Sequence, residues 1–209
     1  MYIDVSIPIE DEMVVFPGDP GIKVRKDQTI EENGVNVSRM TVGLHSGTHV
    51  DSPAHFIKDA KTVDEISPDR FFGKCRVFDL TELNAKYIDA KDIAKLDIDC
   101  EAVFFKTANS ILLLKKEFDP YFVYITEAAA SLLVRKGVKV LGFDYLTIDK
   151  LASDLAHQAL LGAGVVIYET VNLINVKAGL YEYYGMPLRI KGAEASPVRV
   201  ILRKIDEKN

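Results

Sequence analysis

The sequence has no tryptophan, only two cysteines and only four histidines among 209 residues. Without tryptophan, an aromatic contact to a ligand falls to phenylalanine or tyrosine. Cys75 and Cys100 have no CxxC spacing and each lies near a predicted strand. They therefore read as structural thiols, not as a disulfide framework or a thiolate metal site. No cationic-then-apolar leader opens the chain, because Asp4, Glu10, Asp11 and Glu12 stand where it would be. The longest apolar runs, such as Ile111 to Leu114, fall far short of the ~18 residues that span a bilayer. A basic excess is missing as well. The net charge is -5, which argues against a nucleic-acid footprint. No repeat, low-complexity tract or Pro/Gly/Ser linker divides the chain. These absences predict a soluble protein of the reducing cytoplasm, with neither membrane nor nucleic acid as partner.

What is present is enough apolar sequence, 48% of residues, for one large core, so residues 1–209 are expected to form a single domain. Strands are predicted over Tyr2–Ile9, Val35–Leu44, Lys74–Leu80, Ala102–Lys106, Val138–Phe143, Val165–Glu169 and Pro197–Arg203. Helices are predicted over Asp89–Leu96, Glu127–Lys136 after a Thr126 cap, and Leu151–Leu161. Strands mixed with helices throughout give an α/β or mixed α+β class with a mixed sheet.

Three of the four histidines fall within the run His45-Ser-Gly-Thr-His49-Val-Asp51-Ser-Pro-Ala-His55. Fully extended, His45 to Asp51 would span ~20 Å and could not share one ion. A helix is disfavoured by Gly47, by β-branched Thr48 and Val50, and by Pro53 after Ser52. The segment should therefore leave a strand near His45 and curl, with Gly47 taking the unusual backbone angles. Neutral imidazoles with a carboxylate suit zinc and other late first-row metals. The bland alternative is a set of hydrogen-bonding loop histidines, but a loop rich in His, Asp, Gly, Thr and Pro serves a site better than a core. His157 lies on a predicted helix. Twelve residues later Glu169 follows four apolar residues, and a buried carboxylate there must be paired or metal-bound.

The His45–His55 run resembles the HxGTHxDxPxH motif of the cyclase family of metal-dependent hydrolases, which includes bacterial kynurenine formamidases and isatin hydrolase. The turn Phe16-Pro17-Gly18-Asp19, the spacing of His157 to Glu169 and the stretch Ser196-Pro197-Val198-Arg199 are similar to the family too. The resemblance implies a swivelling β/β/α-like fold, dimers or tetramers, and two divalent ions, zinc or manganese. It implies His45, His49 and Asp51 on the first ion. Asp51 and Glu169 would bridge to a second, held also by His157. His55 would stay off the metals as proton donor and acceptor. The implied reaction is hydrolysis of an amide or formamide C–N bond by metal-activated water. Phe16 stands where the formamidases carry a substrate-contacting tryptophan, so it is the expected substrate contact, with less stacking area and no indole donor.

Two further readings stay open at this stage: opening of a cyclic amide or lactone, as by isatin hydrolase, and a non-catalytic metal-binding module. Among other residues, Asp144 and Asp149 read as solvated turn aspartates at a strand end. Arg199 reads either as a substrate-carboxylate contact or as a structural ion pair. Tyr181, Tyr183 and Tyr184 read as core or subunit contact.

Overall fold

The computed structural model describes residues 1–83 and 85–205. In chain order the strands are β1 (Tyr2–Asp4), β2 (Lys23–Gln28), β3 (Val37–Thr41), β4 (His49–Asp51), β5 (Phe72–Asp79), β6 (Tyr87–Ile88), β7 (Ala102–Lys106), β8 (Tyr124–Ile125), β9 (Val140–Phe143), β10 (Val166–Glu169), β11 (Gly179–Tyr184), β12 (Ala195–Pro197) and β13 (Ile201–Lys204). The helices are α1 (Ile30–Asn33), α2 (Ala90–Ala94), α3 (Asn109–Leu112), α4 (Glu127–Arg135) and α5 (Leu155–Gly162). No helix among the described residues is long and apolar enough to cross a membrane.

Nine strands form one sheet in the order β1-β13-β11-β5-β7-β9-β10-β4-β12. The centre, β5-β7-β9-β10, is parallel. Both flanks are antiparallel, so the sheet is mixed, as the alternation of strands and helices predicted. Side chains alternate across the central strands and supply two cores. Val103, Phe105, Leu141, Phe143 and Ile167 face the layer of α4 and α5. Ala102, Phe104, Val140, Val166 and Tyr168 face the other way. That second core also takes Val5, Val50, Tyr181, Tyr183 and Leu202 from both flanks of the sheet, so the sheet curls around it. The chain beyond β1 completes the curl: the Ile7 N–H donates to Thr48 Oγ1 next to β4. Inside the curl, Gly142 on β9 sits opposite Phe104 on β7. A Cβ at Gly142 would lie 2.2 Å from Phe104 Cδ1, so only glycine lets this ring lie flat across the strand.

The differences from the sequence expectations are local. Tyr2–Ile9 is a strand only over Tyr2–Asp4, because the later backbone turns to Thr48 instead of to a neighbouring strand. Pro197–Arg203 is split between the end of β12 and the start of β13, with Val200 N–H donating to Ser6 Oγ between them. The last predicted helix begins at Leu155, after a turn through Ala152 at φ 60°. Cys75 and Cys100 are free thiols, the first buried on β5. Tyr181 and Tyr183 are core residues, while Tyr184 is partly exposed. Arg199 forms a surface ion pair with Asp4, its Nε donating to Oδ2 at 2.8 Å.

Candidate metal centre

The histidine-rich segment curls and then straightens. Gly47 at φ 63° turns the chain, and His49–Asp51 forms β4. Pro53–His55 is a single 3-10 turn that carries His55 back toward the same side. Period-two alternation sends His49 and Asp51 to the helix-facing side of the sheet and Val50 into the curl. On the neighbouring antiparallel strand Glu169 pairs in register with His49, and Ile167 with Asp51, so Glu169 shares their face. His157 projects from α5 onto the same face. The cluster thus lies at the carboxyl ends of β9 and β10, where open α/β sheets place ligand sites.

The distances join these residues into one cluster. His45 Nδ1 lies 2.9 Å from Asp51 Oδ1, and His49 Nε2 lies 3.4 Å from the same oxygen. His157 Nε2 lies 3.6 Å from Asp51 Oδ2 and 3.1 Å from Glu169 Oε1. His49 Nε2 lies 3.5 Å from Glu169 Oε2. Two triads result, His45/His49/Asp51 and Asp51/His157/Glu169, each with ligand atoms within 4.8 Å of one another. Asp51 belongs to both. His49, Asp51, His157 and Glu169 are all at most 3% exposed.

Burial makes the hydrogen-bond accounting decisive. His49 Nε2, His157 Nε2 and both oxygens of Asp51 are buried without a hydrogen-bond partner. Leaving such groups unpaired costs about 1–3 kcal/mol each. Their other atoms are satisfied. His49 Nδ1 donates to the Gly47 carbonyl at 2.9 Å, and Glu169 Oε1 accepts the Ile148 N–H at 2.7 Å. The His49 contact, and the 2.7 Å bond from His157 Nδ1 to Asp149, turn both Nε2 atoms toward Asp51 and Glu169. Atoms held in place yet left without partners are what divalent cations need, and the donor set fits them.

The electrostatics agree. Burial opposes charge on His49, but the Asp51 and Glu169 carboxylates outweigh it and hold the imidazole up at about 9. His157 is likewise held well above its ordinary value against burial, chiefly by Glu169. Burial also opposes charge on Asp51, yet the surrounding imidazoles hold its carboxyl well below the usual range. In the ion-free protein the cluster is therefore charged on both sides, imidazolium against carboxylate.

Asp149 does not sit in solvent. It is 4% exposed and accepts three hydrogen bonds, from the N–H groups of Ala156 and His157 and from His157 Nδ1. Asp144 is fully buried too, and accepts from the backbone N–H and hydroxyl of both Thr107 and Ser110. Both aspartates follow β9: Thr107 and Ser110, leading from β7 into α3, enclose Asp144, and the first turn of α5 covers Asp149. Sequence reasoning also missed Glu194, whose Oε1 lies 3.5 Å from His45 Nε2. Nothing in its local sequence marks it, since only the pairing of β12 with β4 brings it there.

A cavity of about 450 Å³ opens on the cluster, its wall including Phe16, His45, His55, Phe56, His157 and Glu169. His55 belongs to neither triad. Its ring lies 4.0 Å from that of His45 and 4.3 Å from that of Phe56, centroid to centroid. Burial pushes the His55 imidazole down to about 4, so it is neutral near pH 7.

A model of the cyclase family matches residues 3–150, most of the chain and all of the histidine-rich segment. The chain belongs to the cyclase family. Its relatives match over nearly its full length. The kynurenine formamidase of Bacillus cytotoxicus is 31% identical across 98% of this chain and 98% of its own. That of Salinibacter ruber is 35% identical across 96% of both. Among solved structures, a predicted metal-dependent hydrolase from Bacillus stearothermophilus superposes with a TM-score of 0.84 at 34% identity, covering 97% of each chain. Isatin hydrolase A from Labrenzia aggregata, bound to benzyl benzoate, gives 0.84 over 97% of this chain and 93% of its own. At 20% identity that second likeness speaks for the fold alone. This member of the cyclase family shares its mixed, curled sheet with a structure described as a predicted metal-dependent hydrolase.

Proposed function

We propose that this chain hydrolyses the C–N bond of an aryl formamide, with N-formylkynurenine the foremost substrate and formate and the aryl amine as products. One observation carries the reading: two triads share Asp51, with buried unpartnered ligand atoms, beside a cavity whose wall holds a histidine outside both triads. The full-length relatives named kynurenine formamidase support the choice of substrate class.

His45, His49 and Asp51 would hold one divalent cation, and Asp51, His157 and Glu169 a second, with zinc the foremost ion and manganese the alternative. Bound there, such ions act as Lewis acids and bring the pKa of water down toward ~7. The chain supplies position and proton transfer. His55, neutral near pH 7, takes the proton of the attacking water and returns it to the departing nitrogen, which leaves as an amine. Phe16 lines the cavity, where a phenyl ring could stack on the aryl group of the substrate. A purely structural ion site would be closed on all sides. The cavity beside His55 therefore favours catalysis over a metal-binding module.

We also propose that the protein works in the cytoplasm as a homodimer or homotetramer, with a small molecule as substrate; sedimentation of the purified protein tests the assembly. The function itself is tested on protein purified without chelator, by elemental analysis together with a panel of N-formylkynurenine, isatin and simple lactones. Two divalent ions per chain and formate release from the formamide are expected. Failure to take up any ion would overturn the reading. Ring opening of isatin or lactones with formamides untouched would move the chain to the cyclic-amide class.

A further inference from the structure

The backbone is strained at one buried point beside the metal centre. Four non-glycine residues among those described have positive φ: Glu12, Asp59, Ala152 and Thr170. The first three are exposed, whereas Thr170 is buried, and it alone of the four is β-branched, at φ 57°. A β-branched residue in the left-handed region is a steric outlier, kept only where its surroundings over-determine the backbone. The residue before it is Glu169, a member of the second triad.

Hydrogen bonds from three directions hold this turn. The ladder of β4 and β10 ends at the pair His49 and Glu169, and one further step of register would set Thr170 opposite Thr48. The chain leaves the ladder there. The hydroxyl of Thr48, which is 1% exposed, donates to the Thr170 carbonyl at 2.6 Å. The Ile7 N–H donates to that same hydroxyl at 2.9 Å, so the hydroxyl proton is left for Thr170. The reversal turns the Thr170 N–H onto the Tyr145 carbonyl at 2.8 Å and the Val171 N–H onto the Phe143 carbonyl at 3.1 Å. Both bonds draw the segment after β9 against Glu169. From that segment the Ile148 N–H donates to Glu169 Oε1 at 2.7 Å. One buried hydroxyl is thereby linked to the carboxylate that lies 3.1 Å from His157 Nε2 and 3.5 Å from His49 Nε2.

Resting on the two-ion reading of the cluster, we propose that Thr48 is the positioning residue of Glu169. Its hydroxyl holds the left-handed turn at Thr170 and, through that turn, the direction of the carboxylate toward His49 and His157. Valine at position 48 would keep the shape and strand preference of threonine, but would leave the Ile7 N–H and the Thr170 carbonyl without this partner. Thr170 would then relax out of the left-handed region, taking the Tyr145–Ile148 segment and the Glu169 carboxylate with it.

Ion binding measures this separately from turnover. Zinc is titrated against a chromophoric chelator into the wild type, Thr48→Val, Glu169→Gln and the double variant, with circular dichroism to establish that each is folded. Thr48→Val should weaken the second zinc about tenfold or more, as loss of an outer partner does, and leave the first in place. In the Glu169→Gln background the same change should add no more than about twofold, because Thr48 acts through that carboxylate. Thr48→Ser keeps the hydroxyl and should bind like the wild type. Equal affinities in the wild type and a folded Thr48→Val, or full additivity with Glu169→Gln, would overturn the inference. A wild type that takes up no zinc would count against the two-ion reading instead. In that event, or should Thr48→Val fail to fold, amide hydrogen exchange in the ion-free wild type decides the matter. The amides of Ile7, Ile148 and Thr170 should exchange as slowly as those of β10, and exchange at the rate of an exposed loop would sink the proposal.

Discussion

One oxygen of Asp149 accepts two hydrogen bonds from the same residue, His157: 2.7 Å from its ring Nδ1 and 3.0 Å from its backbone N–H. The other oxygen accepts the Ala156 N–H at 2.9 Å. One carboxylate thereby anchors the first turn of α5, fixes the ring's rotation and leaves Nε2 facing Asp51 and Glu169. Burial pushes the Asp149 carboxyl up, but these donors outweigh it and keep it ionised.

Asp149→Asn should therefore fold but hold ions poorly. The amide can accept at only one atom, so either the ring or the Ala156 N–H loses its acceptor. Replacing such an outer partner typically weakens metal affinity by about 10–100-fold. Titration against a chromophoric chelator measures it. Unchanged affinity in a variant with native circular dichroism would show that the helix alone positions His157.

Metal uptake should release protons and tighten as pH rises. Without ions His49 titrates at about 9 and His157 is held well above its ordinary value, so both are protonated near pH 7. A cation must displace those protons, because only neutral imidazole ligates. Affinity should climb from pH 6 toward pH 9, where His49 gives up its proton unaided. Calorimetry in buffers of different ionisation heat counts the protons, and a pH-independent affinity across that range would contradict the charged ion-free cluster.

His55→Ala should retain the full metal content and lose turnover by about 10²–10⁴, the usual contribution of a general acid–base group. The side chain lies outside both triads, so elemental analysis and initial rates on the same preparation separate the two roles. Loss of an ion with the activity would reassign His55 as a ligand.

Gly142→Ala should destabilise the fold without touching the site. The added methyl would sit 2.2 to 2.6 Å from three atoms of the Phe104 ring, which is itself fully buried. Overpacking of this kind costs about 1–3 kcal/mol or more. Urea unfolding gives the value. A midpoint unchanged from wild type would mean that the ring has room to move.

The sequence by itself determined the secondary elements with strong local signals and the chemistry of the site. Ala102–Lys106 is a strand because five residues there are apolar or long-stemmed and short of helix length. Glu127–Arg135 is a helix because Thr126 caps it, accepting from Ala129 N–H, and Gly137 stops it at φ 83°. Three histidines and an aspartate packed around Gly47 and Pro53 announced ligand chemistry, and the two-residue step from His49 to Asp51 puts both on one face of β4. What only the tertiary structure decided is which distant atoms meet. The antiparallel register of β4 and β10 sets Glu169 against His49, across 120 residues of chain that carry no local record of it. Thr107 and Ser110 closing on Asp144, and the first turn of α5 on Asp149, turned two apparent surface turns into buried acceptors, since the strength of a carboxylate's role depends on what covers it. The approach of Glu194 to His45 is decided in the same way, by strands and loops that approach only in the folded chain.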